Sequence, residues 1–259
     1  MTNDFTINLS FKKYSNPQDF EGVNLFSVGD GTVNGKRLSV YINNDNTLIV
    51  PLEGDDWITN HAISENIWTG LSLTYLNGIM KLYINGFLVD ETNEYTVSID
   101  PSSPLRIGSN TMSRGDEFFH GHIDNVSIWD IVLTNEEINN LYNSFVTENM
   151  DGIVAHWSFN SGSGEILFDH SGGGNHGMIN GPTWSEDVYI PPTPPVLGCT
   201  DSYAENYDSE ANIDDGSCSG YPDNGQFSLS FDGIDDWVDI TNSSTLNVSG
   251  SELTIIAKA

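Results

Sequence analysis

The first half of the chain alternates apolar and polar residues in short runs, which is typical of β-strands. In "FTINLSF", the residues Phe5, Ile7, Leu9 and Phe11 share one face of an extended segment, and polar residues occupy the other. "RLSVYINNDNTLIV" predicts two further strands around an Asn/Asp turn, and "PLRIGSN" and "GHIDNVSIWD" predict more. Short strands at this spacing, with turn residues between them, indicate an all-β sandwich or jelly roll.

Two Asn-Gly pairs predict tight hairpins in "LSLTYLNGIMKLYINGFLVD", at Asn77-Gly78 and Asn85-Gly86. A type I′ turn needs a positive φ at both of its central residues, and Asn followed by Gly tolerates that conformation best. We therefore expect three consecutive antiparallel strands in this segment.

One segment, "LTNEEINNLYNSF", has helical spacing instead. Thr134 is suited to cap the helix start, and Glu137, three residues later, is suited to complete a capping box. The residues expected to form its buried stripe are Ile138, Leu141, Tyr142 and Phe145.

The C-terminal part of the chain changes character several times. Residues 153 to 184 return to short strands and Gly-rich turns, and "IPPTPPVLG" has the composition of a stiff linker. Two cysteines then bracket the acidic stretch "GCTDSYAENYDSEANIDDGSC". After them, "FSLSFDGIDDWVDI" starts a new alternating strand pair.

Several stretches, in order, resemble the laminin-G-like, concanavalin A-like jelly-roll family. "IWTGLSLTYLNGIMKLYINGFLV" is similar to the central hairpin of that family, and "FHGHIDNVSIWDIVLTNEEINNLY" to its late strand and short helix. "SLSFDGIDDWVDI" resembles its first strand pair, and the cysteine stretch resembles a module found beside such domains in bacterial secreted repeat proteins. The resemblance implies an all-β sandwich with one short helix and a small disulfide-bonded module.

The resemblance also implies a domain order. We expect a jelly roll without its first strand over residues 1–188, a linker and cysteine module over 189–226, and the start of a second repeat over 227–259. Residues 227 to 240 are then expected to complete the first sandwich beside residues 121 to 130. The alternative is strand exchange with a neighbouring repeat, which would give dimers or filaments.

Charge narrows the range of partners. The chain has 37 acidic residues against 8 Lys and Arg, a formal net charge of -29. Such a charge argues against nucleic acid and anionic membranes as partners, and it suits either plain solubility or the binding of hard cations such as calcium. No run of apolar residues is long enough to insert into a membrane.

The cysteine module predicts a disulfide between Cys199 and Cys218. So short an element has little core, and closing its loop stabilises it by roughly 3 kcal/mol. A disulfide indicates an oxidising compartment, and hence an extracellular or cell-surface location. Zinc is disfavoured, because the module offers no histidine and no closely spaced cysteines.

Calcium is a candidate cofactor at two places. In the module, the hard oxygen ligands would come from Asp201, Asn206, Asp208, Asn212, Asp214 and Asp215. The alternative is a solvated acidic loop held by Asx turns. In the sandwich, the resemblance implies a structural calcium near Asp124, with Asn160 and Asp169 as partners. There the alternative is that Asp124 caps a turn or accepts from backbone amides.

Aromatic residues raise the question of sugar binding, because their ring faces stack on sugar rings. Trp57, in "EGDDWITN", is the best candidate for an exposed platform, whereas Trp68, Trp129, Trp157 and Trp184 fit core positions. His120 and His122 alternate onto one face, which suits a metal pair or, as the favoured alternative, a solvent-facing or hydrogen-bonded pair.

No catalytic pattern stands out. Hydrolases of this fold need two carboxylates, which the laminarinase type carries as Glu-x-Asp-x-x-Glu, and that motif is absent here. We therefore expect a non-catalytic adhesion module that binds an extracellular glycan or protein. The alternatives are a structural spacer stiffened by calcium and an accessory domain of a secreted glycoside hydrolase.

Overall fold

A computed structural model describes residues 4–15, 22–29, 36–51, 56–92, 95–99, 103–111, 117–146, 150–194 and 196–220. Two compact units divide the chain, Met1–Pro194 and Pro195–Ala259. In chain order the elements are β1 (Phe5–Lys13), β2 (Gly22–Gly29), β3 (Arg37–Asn43), β4 (Thr47–Val50), β5 (Trp57–Ala62), β6 (Trp68–Leu76), β7 (Ile79–Ile84), β8 (Phe87–Thr92), β9 (Leu105–Ile107), β10 (Gly121–Trp129), α1 (Asn135–Asn143), β11 (Ile153–Trp157), β12 (Ile166–Leu167), β13 (Gly177–Met178), β14 (Leu197–Gly198) and β15 (Ile213–Asp214).

Two antiparallel sheets form the first unit. Sheet A has six strands in the order β11-β10-β1-β6-β7-β8, and sheet B has five in the order β5-β4-β3-β2-β9. Strands β12 and β13 form a separate small hairpin. Strand β1 lies near the centre of sheet A, with Thr6 opposite Trp129 of β10 on one side and Thr74 of β6 on the other.

The main core lies between the two sheets. The predicted apolar face of β1 is fully buried there, together with residues of sheet B such as Leu25 and Leu38. Each fully buried aliphatic or aromatic side chain of this kind contributes about 1.5–3 kcal/mol of transfer free energy, so the four apolar residues of β1 make a substantial contribution to the core. The predicted sandwich is confirmed.

The other face of sheet A, the outer face, is polar but not exposed over its middle rows. Thr6, Asn8 and Ser10 are buried because α1 and the segment leading to Tyr189 cover them. Thr6 donates to the carbonyl of Ile131 and accepts from the amide of Leu133, so its hydroxyl is satisfied. A second, smaller core lies beneath the helix and is formed by Tyr83, Trp129, Leu133, Ile138 and Leu141.

The turn and helix signals are confirmed. All four residues of the two Asn-Gly pairs have positive φ, and the β6-β7-β8 hairpins follow from them. Thr134 and Glu137 form the expected capping box. Phe145 is an exception, because α1 ends at Asn143 and the extended C-cap residue directs Phe145 off the helical face, leaving it 53% exposed. Within the described residues, no helix is long and apolar enough to cross a membrane.

The first unit continues past residue 188, since Tyr189 is buried and donates from its hydroxyl to the carbonyl of Tyr142. In the second unit, the predicted disulfide joins Cys199 and Cys218. Beside it, β14 and β15 form a short parallel pair. The expected second repeat, with the strand that would complete the sandwich, lies outside the described residues and stays a prediction.

Candidate functional site

One end of the outer face of sheet A carries a set of aromatic and charged side chains. Lys12 of β1 is the direct cross-strand neighbour of Trp68 on β6 and of His122 on β10. Tyr14 and His120, each two residues further along, extend the row on the same face, because side chains alternate along a strand. Together with Asp187 these residues are called the Asp187 cluster.

Asp187 ties the cluster together. Its carboxylate accepts from Lys12 Nζ at 2.7 Å and from Trp68 Nε1 at 3.0 Å, and His122 Nε2 lies 3.6 Å away. The hydrogen bond from Lys12, followed by that from Trp68, lowers the pKa of Asp187. Asp187 therefore carries a full negative charge at neutral pH.

The rings of the cluster are held by one another. Tyr14 Oη lies 2.7 Å from His122 Nε2, and His120 Nδ1 lies 2.8 Å from the carbonyl oxygen of Ser15. The Tyr14 ring meets both imidazoles edge to face, with centroids 5.5 and 5.4 Å apart. Of the two possibilities for His120 and His122, the structure shows hydrogen-bonded side chains on one face.

A second group of polar side chains lies in sheet B, where β2 has an irregular register between Asn24 and Phe26. Asn24 Nδ2 donates to Glu117 Oε2 at 2.6 Å, and Asn110 Nδ2 donates to the same oxygen. The amide nitrogen of Asn24 also donates to the carbonyl of Glu117. These three residues are called the Asn24 cluster.

The Asn24 cluster contains an unsatisfied acceptor. Asn24 is 1% exposed and Asn110 is 2% exposed, so both amides are cut off from bulk water. Among the described residues, Asn24 Oδ1 is buried and has no hydrogen-bond partner. A buried acceptor left without a partner costs about 1–3 kcal/mol, so an ion or ligand that satisfied it would stabilise the folded state.

The two carboxylates predicted for the sandwich calcium, Asp124 and Asp169, each accept hydrogen bonds from backbone amides. Asp124 is buried and accepts from the backbone amides of Asn125 and Tyr189, which is the alternative set out above. Burial raises the pKa of Asp124, while the two amides oppose that rise. Asp169 accepts from the amides of His156, Ser171 and Asn175, and Asn160 is exposed in a turn.

The side-chain oxygens of the module residues also accept hydrogen bonds within the loop itself. Four carboxylates each accept from the backbone amide two residues ahead, as Asx turns do: Asp201, Asp208, Asp214 and Asp215. Asn206 bridges to Ser217 and Ser219, and Asn212 accepts from Val196. In the described ranges, no three His, Cys, Asp or Glu side chains are grouped to hold a metal ion.

Trp57 was predicted to be an exposed platform, and this is wrong. It begins strand β5 opposite Val50 of β4 and is 6% exposed within the main core. The acidic residues before it suggested a loop, but sheet pairing turns its ring inward. The prediction that Trp68 fits a core position is also wrong, because Trp68 lies on the outer face of sheet A.

The signal for Trp68 was present in the sequence. Along β6, Trp68 has the same parity as Gly70, Ser72 and Thr74, while Leu71 and Leu73 have the other parity. Period-two alternation therefore places Trp68 with the polar residues. The Asn24 cluster had no such signal, because Asn24 is 93 residues from Glu117 in sequence and only the folded sandwich brings them together.

Comparisons with known proteins agree with this architecture. Residues 1–139 match the family model described as "Concanavalin A-like lectin/glucanases superfamily". The Rattus norvegicus protein "Sushi, von Willebrand factor type A, EGF and pentraxin domain-containing protein 1" is 28% identical over 149 residues, which is 50% of this chain and 4% of that relative. The Mus musculus protein of the same name is 28% identical over 138 residues, 49% of this chain and 4% of its own length. The chain thus spans a small part of these relatives.

Among solved structures, a Bacteroides ovatus protein to which carbohydrate binding has been attributed shares the fold. Its TM-score is 0.53 at 18% identity, with 70% of this chain and 55% of that chain covered. Because the family model covers more than half of the sequence and both sheets agree with it, the chain belongs to the concanavalin A-like lectin/glucanases superfamily.

Proposed function

We propose that this chain is a non-catalytic carbohydrate-binding domain that works outside the cell and uses calcium at the Asn24 cluster. The observation that carries the proposal is Asn24 Oδ1, which is buried and has no partner among the described residues, in a side chain that converges with Asn110 on Glu117. Family membership and the attributed role of the Bacteroides ovatus protein support the ligand class. The disulfide and the acidic surface support the location.

The side-chain oxygens of Asn24, Asn110 and Glu117 are of the type that binds calcium. If the two asparagine side chains turn about their last torsion, their Oδ1 atoms face the Glu117 carboxylate and their Nδ2 atoms face away. Three oxygens would then converge, an arrangement that needs a cation between them. Calcium prefers carboxylate and amide oxygens and takes six to eight ligands, so positions remain for ligand hydroxyl groups, which would approach on the side of the half-buried Glu117.

Carbohydrate suits those remaining positions. Sugar hydroxyls are neutral hard oxygens, and a net charge of -29 disfavours an anionic ligand that would approach without a cation. When bound, calcium would supply the local positive charge that the described cluster lacks. Asn24, Asn110 and Glu117 would hold it.

Two measurements test the proposal on the full chain. Calcium should raise the melting temperature over an EDTA control, because a ligand at 100 times its dissociation constant adds about 2.7 kcal/mol to stability. A glycan array should show more binding in calcium than in EDTA. Glu117→Gln should abolish both effects, whereas Glu165→Gln, which changes an exposed glutamate elsewhere, should keep them.

The outcomes separate the alternatives. A calcium-dependent rise in melting temperature without glycan binding would favour the calcium-stiffened spacer. Glycan binding that is equal in calcium and in EDTA, and that Glu117→Gln leaves unchanged in calcium, would remove the Asn24 cluster from the mechanism. An adhesion role within a repeat protein and an accessory role beside a glycoside hydrolase differ in the neighbouring domains, so the full reading frame distinguishes them.

A further inference from the structure

We propose that the Asp187 cluster is a second binding site, independent of calcium, for the pyranose ring of a neutral sugar. It rests on the proposed function only in sharing carbohydrate as the ligand class. The two sites are built on different sheets, since Lys12, Trp68 and His122 belong to sheet A and Asn24 belongs to sheet B.

The cluster offers the two surfaces that a pyranose needs. One side of such a ring presents C–H groups that pack on aromatic faces, and its rim carries hydroxyls that need donors and acceptors. Trp68, Tyr14 and His122 are half-buried and His120 is exposed, so four rings line one patch of surface. Asp187 and Lys12 stand within the same patch, with side chains 38% and 21% exposed.

Hydrogen-bonding capacity remains for a ligand. Each carboxylate oxygen can accept two hydrogen bonds, and Asp187 Oδ1 accepts one from Trp68 while Oδ2 accepts one from Lys12. Lys12 Nζ carries three N–H donors, and one of them bonds to Asp187. An acceptor and a donor are thus left at adjacent points, which matches a pair of neighbouring hydroxyls.

The site is also preorganised. The bond from Trp68 Nε1 to Asp187 fixes the indole, and the contact between Tyr14 and His122 fixes two more rings. Trp68 is further braced by Tyr189, with centroids 6.0 Å apart. Side chains that are already ordered lose little entropy when a ligand binds, which raises affinity without added contacts.

Charge selects a neutral ligand. Asp187 balances the charge of Lys12, the one lysine in the cluster, so that ammonium group is already paired and is a poor partner for a carboxylate or sulfate. The overall negative charge of the chain adds repulsion to any acidic sugar. Sialylated and uronate-bearing glycans are therefore expected to be excluded.

The test is a glycan array, printed with neutral, sialylated and uronate-bearing oligosaccharides, probed with the full chain in EDTA. Neutral glycans should be retained, and Trp68→Ala should weaken that retention by about tenfold or more, since a buried aromatic contact is worth upwards of 1.4 kcal/mol. His120→Ala removes an exposed ring with little risk to folding and should weaken it several-fold. Phe87→Ala, which removes an exposed ring outside the cluster, is the matched control.

Each result bears on one site or the other. Loss of all glycan binding in EDTA would overturn the second site and leave the proposed calcium-dependent function intact. Binding in EDTA to acidic glycans alone, or unchanged binding by both His120→Ala and a folded Trp68→Ala, would also overturn it. Binding in calcium that depends on Trp68 and is unchanged by Glu117→Gln would support this site and remove the other. No binding in either condition would overturn both.

Discussion

At the scale of single residues, several acidic side chains in the described part of the chain hold backbone amides in place. Asp169 is the clearest case. Burial raises its pKa, but the amides of His156, Ser171 and Asn175 outweigh that effect and lower the pKa to about 2. The folded state therefore prefers the ionised form, and this preference is present above the ordinary carboxyl pKa and is lost as the pH falls towards 2.

Asp169→Asn tests this role. An amide can accept on one atom only, and its NH2 group would face a backbone donor, so we expect a loss of about 1–2 kcal/mol in the free energy of unfolding at pH 7. Urea denaturation between pH 7 and pH 2 should show the gap to wild type narrowing as Asp169 is protonated. The exposed Asp151→Asn should have little effect at any pH. A pH-independent gap would contradict the assignment.

Residue identity and local pattern predicted some of these roles and missed others. Cys199 and Cys218 were predictable because a short coreless loop leaves few alternatives to a disulfide. Trp57 was mistaken for a loop residue because its acidic neighbours outweighed a short strand pattern. The Asn24 cluster could not be predicted from local pattern, because it needs Asn24 of β2 to contact Glu117, which is 93 residues away in sequence.

At the scale of elements, two glycines allow helix α1 to pack closely on sheet A. A Cβ at Gly70 would lie 2.9 Å from the Tyr142 ring, and one at Gly86 would lie 3.0 Å from the Asn139 side chain. Gly86 also has a φ of +80°, which other residues adopt at a cost. Strand alternation and the capping box predicted the sheet and the helix, but nothing local indicates which strand the helix covers.

Gly70→Ala tests that seating. The added methyl group would push Tyr142 away from the sheet, and overpacking of this kind costs about 1–3 kcal/mol. Thermal unfolding should show the loss, and near-ultraviolet circular dichroism should report the moved tyrosine. Gly177→Ala, where the new atom would meet Leu167 at an ordinary 3.6 Å, is the control and should unfold close to wild type.

At the scale of the whole molecule, the chain combines a sandwich that has a large core with a module that has almost none. In the described part of the module, only Cys199 and Ala204 are buried. Its order rests on the disulfide and on carboxylates that accept from nearby amides. The two units are therefore expected to respond differently to reducing conditions.

Replacing Cys199 and Cys218 together by serine should unfold the module. The loop-closure contribution of the disulfide is roughly 3 kcal/mol, more than so small a core supplies. Hydrogen exchange should show loss of protection across residues 196–220, while protection in β1 and β6 serves as the internal reference. Retained protection in the module without the disulfide would show that the loop contacts suffice.

The central position of β1 has a consequence for how the sandwich forms. Its two neighbours in sheet A are β6 and β10, and the pairing of Thr6 with Trp129 joins residues far apart along the chain. On the ribosome, an early strand with a fully apolar face must wait for more than a hundred residues to be made before its last partner exists. Folding with so high a contact order is slow. Until β10 arrives, β1 exposes an unpaired edge, so a holding chaperone would be needed most during that interval.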